Sequence, residues 1–231
     1  MRVRLQKSVP IRIRSEIMIK GVIFDLDGVL VSTDEMHYQA WKRLAQELHI
    51  TGFTREDNRR QRGVSRMASL EIVLEKADRT YSEEEKIELA ERKNGYYLEL
   101  LEEMDESSVL ENVKDVLEKL KNGGLLLAVG SASKNAPVIL EKTGLMPYFD
   151  KISCGLDTTK SKPDPEVFLV AAKKLGLPPE ECLVVEDSAA GIEAAAAGGM
   201  KSLGVGPFYQ SLHADYEAPA LCKVEDWESI L

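Results

Sequence analysis

The stretch Val22-Ile23-Phe24-Asp25-Leu26-Asp27-Gly28-Val29 constrains this chain more than any other. An apolar run ends in two carboxylates spaced i and i+2, followed by a glycine. Side chains two apart in a strand point to the same side. A buried strand would therefore deliver Asp25 and Asp27 together to its C-terminal edge, where open α/β sheets bind ligands. Two negative charges gathered on an apolar strand cost stability unless a cation or a reaction uses them. Such a conflict between local rule and placement marks a functional position.

Downstream of this strand the pattern is helical. Thr33 reads as an N-cap, with Asp34 and Glu35 in the first turn. Met36, Ala40, Leu44 and Leu48 recur at i+4. A second helix is predicted from Ser65 to Ala77, with Met67, Leu70, Leu74 and Ala77 on one face. Ser82 and Glu85 form a capping box for a third, which carries Ile87, Leu89, Tyr97, Leu98 and Leu101. No strand candidate falls between Thr33 and Met104, so residues 33–104 read as a helical insert, small for an independent domain.

From Glu111 the pattern becomes helix, strand, helix, strand. Val113, Val116, Leu117 and Leu120 form a stripe stopped by Gly123-Gly124. Leu125 to Val129, Leu183 to Val185 and Leu203 to Val205 are apolar strands. Helices are expected at Asn135–Thr143, after Asp164-Pro165, and at Gly191–Ala197. Alternating elements with fully apolar strands predict an α/β fold: a Rossmann-like, doubly wound parallel sheet with helices on both faces. Residues 18–32 and 105–231 would form the core, and 33–104 an inserted helical bundle that caps it.

A chain of 231 residues is long enough for that arrangement. Its net charge of −9 argues against nucleic acid as the main partner. Cys154, Cys182 and Cys222 lack any CxxC pairing, which fits reduced thiols in a cytoplasmic protein. No apolar run approaches the ~20 residues of a membrane helix. Residues 1–17 differ: their basic, Pro-interrupted composition excludes a signal peptide. Alternation at Val3 and Leu5 and at Ile11 and Ile13 is compatible with a short edge hairpin, with disorder, or with a natural start at Met18. No chemistry is assigned to this segment, and nothing demands more than a monomer.

The chemistry-bearing residues lie at the ends of the predicted strands. Asp25 and Asp27 end the first. Ser131 follows the second, within Ser131-Ala132-Ser133-Lys134-Asn135. Lys162 sits in Ser161-Lys162-Pro163-Asp164-Pro165, and Glu186-Asp187-Ser188 follows the last. A parallel sheet brings such ends to one edge. Oxygen-rich carboxylate clusters suit Mg²⁺, and metal plus lysine would neutralise a phosphoryl group. One aspartate can then attack phosphorus, and a second can give a proton to the leaving oxygen and later take one from the next nucleophile.

This set resembles the haloacid dehalogenase-like superfamily, whose DxDx(V/T), Ser/Thr, Lys and acidic-pair signatures occur here in order. The resemblance narrows to its β-phosphoglucomutase family along nearly the whole chain after Met18. It is carried there by Thr33…His37…Trp41, Gly63-Val64-Ser65-Arg66, Glu91-Arg92-Lys93-Asn94, Ser131 to Asn135, and Glu186 to Ile192. The resemblance implies that Asp25 is the nucleophile and Asp27 the general acid/base. It implies Mg²⁺ on Asp25, the Asp27 backbone carbonyl, Glu186 and Asp187. Ser131 and Lys162 would bind the transferring phosphate. Arg66, Ser133, Lys134 and Asn135, with Ala132 among them, would bind the other one. Thr33, His37, Trp41 and Lys93 would line or gate the cap, with Thr33 and the segment around Met104 to Ser107 as hinges.

The activity so implied is interconversion of β-D-glucose 1-phosphate and glucose 6-phosphate, with β-D-glucose 1,6-bisphosphate as intermediate and activator. A Mg²⁺-dependent sugar-phosphate phosphatase shares every core residue and differs in water access. A non-catalytic sugar-phosphate binder would gain nothing from clustered acids. Taken residue by residue, plainer readings stand beside these. Arg66 and Lys93 fit solvated helix faces, His37 and Trp41 fit a packing pair one turn apart, and Ser188 fits a helix cap.

Overall fold

Strand β1 (Gly21–Phe24) is short and apolar throughout, as a strand covered on both faces must be. In the computed structural model, which describes residues 18–231, it lies near the centre of a six-stranded sheet. The other strands are β2 (Leu126–Gly130), β3 (Lys151–Ser153), β4 (Cys182–Glu186), β5 (Lys201–Gly204) and β6 (Tyr216–Glu217). Their order is β3-β2-β1-β4-β5-β6, with every pairing parallel. The chain winds one way from β1 through β3 and the other way from β4 through β6. The order therefore reverses between β1 and β4, which places the ligand crevice at the ends of those two strands. The basic segment 1–17, with its hairpin reading, lies outside the described residues.

Strand periodicity sorts the core into two layers. Val22, Phe24, Leu127, Val129 and Val185 pack on one face with α5 (Val113–Asn122) and α6 (Ala136–Lys142). Ile23, Ala128 and Val184 face the other way, onto α7 (Glu166–Leu175) and α8 (Ala189–Ala197). This is the doubly wound sheet expected from the alternating pattern. Strands β3 and β6 escape the sequence pattern because three- and two-residue strands are too short to display a period.

Between β1 and α5 the chain forms four helices: α1 (Asp34–Glu47), α2 (Arg55–Arg60), α3 (Arg66–Leu74) and α4 (Glu83–Leu101). They bury a core of their own, in which Trp41, Leu44, Leu70, Val73 and Leu89 meet. The chain leaves and re-enters the sheet side by side, since Ser32 N–H donates to Ser108 O (3.0 Å) and Leu110 N–H to Leu30 O (3.0 Å).

Several local expectations shift. Helix α3 is shorter than Ser65–Ala77, because Lys76 and Ala77 close tighter turns onto Val73 O and Leu74 O. Helix α2 has no apolar residue at all, so it carries no stripe to read; its start is instead set by a Thr54–Asp57 capping box. Ser82 and Glu85 cap α4 reciprocally, as predicted. Its inward face, however, runs Leu89, Ala90, Lys93, Tyr97 and Leu101, leaving Ile87 (52% exposed) and Leu98 (39%) outward. A charged residue stands in an apolar stripe, which is where a functional role is to be sought.

Candidate active site

The ladder of β1 extends one residue past the strand, with Asp25 N–H donating to Val185 O at 2.9 Å. The chain then turns. Gly28 takes φ +88°, and a Cβ there would fall 2.2 Å from Asp187 Oδ2, so only glycine lets this turn lie against Asp187. Asp25 and Asp27 thus reach one cavity from a strand end and a turn, not from one regular strand.

Lys162 links the central strands. Its Nζ donates to Asp25 Oδ1 (2.6 Å) and to Glu186 Oε1 (2.6 Å), and its side chain is fully buried. Burial alone would lower its pKa; the carboxylates of Asp25 and Glu186 outweigh that and hold it above the ordinary lysine value. The other oxygen of Glu186 accepts from Ser188 N–H (2.7 Å) and Ser188 Oγ (2.8 Å). Ser188 Oγ also accepts from Gly191 N–H (3.2 Å), so the capping role read from sequence is real and is joined to the acidic pair. Helix α8 passes so close that a Cβ on Gly191 would sit 1.9 Å from Glu186 Oε1.

The carboxylates outnumber their cations here. Burial pushes Asp25 up to about 7; Lys162 opposes this, while Glu186 and Asp27 add to it. Burial, then Glu186 and Asp25, push Asp187 well above the usual carboxylate range, against Arg62 and Lys162. Arg62 Nη1 stands 3.6 Å from Asp187 Oδ2, and its Nη2 donates to Asp34 Oδ2 (3.1 Å). An all-oxygen donor set with unbalanced negative charge fits a hard divalent cation. Among the described residues no three acidic, histidine or cysteine side chains form a finished ligand cluster. Lys162 already holds Asp25 and Glu186, so a cation here needs main-chain oxygen such as the Asp27 carbonyl.

Asp27 accepts a hydrogen bond from the Thr33 hydroxyl. Burial raises the Asp27 pKa, and the Thr33 bond opposes it. Thr33 is the N-cap residue of α1 by position, but its side chain makes no capping bond; it points to Asp27 instead.

On the helical side, Lys93 Nζ lies 2.9 Å from His37 Nδ1 and 4.6 Å from the centre of the Trp41 ring. His37 stacks on Tyr97 at 4.1 Å. Burial, then Arg66, lower the Lys93 pKa to about 7, with Asp27 opposing. Burial, then Lys93 and Arg66, hold His37 well below its ordinary value. Burial thus disfavours charge on both groups, and the His37 tautomer sets which of them donates in the hydrogen bond that joins them. Trp41 is 1% exposed and supports Lys93 from the helical core.

A second cationic region lies in the same cavity, which has a volume of about 540 Å³. Ser131 is buried after β2, its N–H donating to Ser153 O of β3 (3.0 Å). Its Oγ accepts from Ser133 N–H (3.1 Å), and Ser133 Oγ from Asn135 N–H (3.2 Å). Ala132 and Lys134 line the cavity with them. Arg66, the first residue of α3, donates from Nη2 to Asn94 Oδ1 (2.9 Å). Burial pulls its pKa below the ordinary guanidinium value, with Glu91 opposing. Among the described residues neither Arg66 nor Lys134 is held by a carboxylate, whereas Lys162 is.

Arg62, Asn58, Gln61 and Asn94 also line the cavity and did not enter the candidate set. The Thr54-x-x-Asp57 box marks the start of α2 and hence Asn58; Gln61 caps the end of that helix and Arg62 lies in the turn that follows. Asn94 stands in the Glu91-Arg92-Lys93-Asn94 segment that carries the family resemblance, but its helical position alone reads as a solvated residue.

A doubly wound sheet with buried carboxylates gathered around a lysine at its switch point defines a class. Residues 19–199 match the haloacid dehalogenase-like hydrolases, and the chain is an enzyme of that family. Within it, the chain is 40% identical over 199 residues to the β-phosphoglucomutase of Bacillus subtilis (strain 168), covering 85% of this chain and 88% of that one. The crystal structure of β-phosphoglucomutase from Clostridium difficile superposes with a TM-score of 0.85 at 36% identity, covering 92% of this chain and 96% of that one. A phosphorylated carbohydrates phosphatase of Thermotoga maritima is 32% identical over 206 residues, covering 88% and 90%.

Proposed function

We propose that the protein is a β-phosphoglucomutase that moves a phosphoryl group between the C1 and C6 oxygens of glucose through Asp25. The observation that carries this reading is the pairing of two anion-binding regions in one cavity. Asp25, Lys162 and Ser131 form one; Arg66, Lys134 and Asn135 form the other. A hydrolase of a monophosphate has work for only the first. The 40% identity to the Bacillus subtilis enzyme supports the same reading.

In this mechanism the Asp25 carboxylate attacks phosphorus and the bond from phosphorus to the sugar oxygen breaks, giving an aspartyl-phosphate. Asp27, aligned by Thr33, gives its proton to the departing oxygen. In the reverse sense Asp27 takes the proton of the attacking sugar hydroxyl. With β-glucose 1-phosphate, the C6 hydroxyl receives the group from Asp25, and the resulting 1,6-bisphosphate turns round. Asp25 then takes the C1 phosphate and releases glucose 6-phosphate, which regenerates the phosphoenzyme. Lys162 and Ser131 balance charge on the transferring group. Mg²⁺ held by Asp25, Asp187, the Asp27 carbonyl and Glu186 would add charge neutralisation there. Arg66, Lys134 and Asn135, with the backbone around Ser133, hold the phosphate that is not reacting. Residues 33–104 act as the cap, hinged at Thr33 and the 104–107 segment, and exclude water from the aspartyl-phosphate.

The likeness to the Thermotoga maritima phosphatase favours one competing reading, hydrolysis of the same intermediate. A coupled assay separates them. With β-glucose 1-phosphate, Mg²⁺ and bisphosphate primer, the mutase yields glucose 6-phosphate with no free phosphate. Release of free phosphate and glucose at the same rate overturns the proposal.

A further inference from the structure

We infer that Asn94 is the positioning residue that sets the second phosphate site, by joining its cap half to its core half through one neutral oxygen. The inference rests on the two-phosphate reading above. Asn94 Oδ1 accepts from Arg66 Nη2 at 2.9 Å and from Asn135 Nδ2 at 3.0 Å. Arg66 opens α3 on the helical side; Asn135 precedes α6 on the sheet side. An arginine can only donate, so the Asn94 atom facing it must be the oxygen. That assignment in turn requires the donor end of Asn135 to face Asn94. The hydrogen-bond pattern thus fixes both amides.

A neutral acceptor is what the site needs. A carboxylate at position 94 would pair with Arg66 and cancel the charge that a phosphate is to meet. An amide oxygen engages one N–H of the guanidinium and leaves its charge and remaining donors for the ligand. The same oxygen holds the Asn135 amide beside the start of α6 and Lys134. Arg66 and Asn135 therefore present a joint surface only while cap and core are together, which links engagement of the second phosphate to closure.

Two variants test this with the full-length enzyme: Asn94→Asp, which keeps the shape and adds charge, and Asn94→Ala, which removes the side chain. If Asn94 positions Arg66 without neutralising it, KM for β-glucose 1-phosphate rises about tenfold in Asn94→Ala and further in Asn94→Asp. The effect on kcat is smaller in both, and thermal midpoints confirm folding. A packing role predicts the opposite order, because aspartate fills the same space. Equal KM values in wild type and both variants, or a larger rise in Asn94→Ala than in Asn94→Asp, overturn the inference. Should the wild-type product be free phosphate, the mutase reading falls by itself. The order of the two variants' KM values for that hydrolysis then decides the role of Asn94 by the same criterion.

Discussion

The Thr33 hydroxyl donates to the Asp27 carboxylate instead of capping the helix that Thr33 begins. The residue that precedes α1 is thereby tied to Asp27, the proton-transfer group of the proposed mechanism. Thr33→Val keeps the shape and removes this bond. We expect kcat to fall about tenfold to a hundredfold, a fraction of what general acid–base catalysis contributes. Stability should change by less than about 0.5 kcal/mol through α1 itself, because no capping bond is lost. Steady-state kinetics beside urea denaturation checks both halves. A variant that turns over like wild type would remove Thr33 from the mechanism.

Asp25 and Arg66 should fail in different ways. Asp25→Asn leaves no nucleophile for an aspartyl-phosphate, so turnover should be lost along with the hydroxylamine-labile phosphate on the protein. Arg66→Ala keeps the nucleophile but loses a charge-assisted contact of about 1.5–3 kcal/mol, roughly a ten- to hundredfold rise in KM. Phosphoenzyme trapping together with KM separates the two. Labelling of Asp25→Asn at the wild-type level would refute the assignment.

Lys162 holds two buried carboxylates, and its replacement exposes their cost. Lys162→Met should destabilise the fold by about 3–5 kcal/mol at neutral pH, since Asp25 and Glu186 remain buried without their cation. Asp25, pushed up to about 7 by burial against the opposing pull of Lys162, would lose that opposition and bind its proton still more tightly in the folded state. Stability of the variant should therefore recover as pH falls and Asp25 becomes neutral. Denaturation curves between pH 5 and 8 (about the range where such groups titrate) read this directly.

Lys93 gives a pH dependence of opposite sense. Its folded pKa lies near 7 against 10.5 in its ordinary state, mainly through burial. Between these values the unfolded chain binds the extra proton, so this group makes wild type more stable as pH rises. Its penalty is full below about 7 and fades toward 10.5. Subtracting Lys93→Met from wild type should reveal a positive slope of up to about 1.4 kcal/mol per pH unit across that window. A flat difference would mean that the ammonium is not strained.

The relation between legible and illegible parts follows range along the chain. The Ser82–Glu85 capping box, the apolar β1, β2 and β4, and the acids that follow β1 and end β4 are contiguous signals found where the pattern puts them, except that Asp27 lies in the turn after β1 and not on the strand. Helix α2 carries no apolar stripe, and β3 and β6 are too short for one. Thr33 satisfies the local rule for an N-cap, yet a carboxylate six residues earlier competes for its hydroxyl. Lys93 reads as a solvated helix residue, but packing against Trp41 and Tyr97 buries it.

By itself, the sequence determined the parallel sheet and the acidic strand ends, because apolar runs and terminal charges are encoded within a few neighbouring residues. Only the tertiary structure decided who partners whom: Lys162 with Asp25, 137 positions away, and Asn94 with both Arg66 and Asn135. Such pairings depend on how helices and strands pack, and a side chain's hydrogen-bonding capacity says what it can bind but not what will stand within 3 Å (about the length of one hydrogen bond).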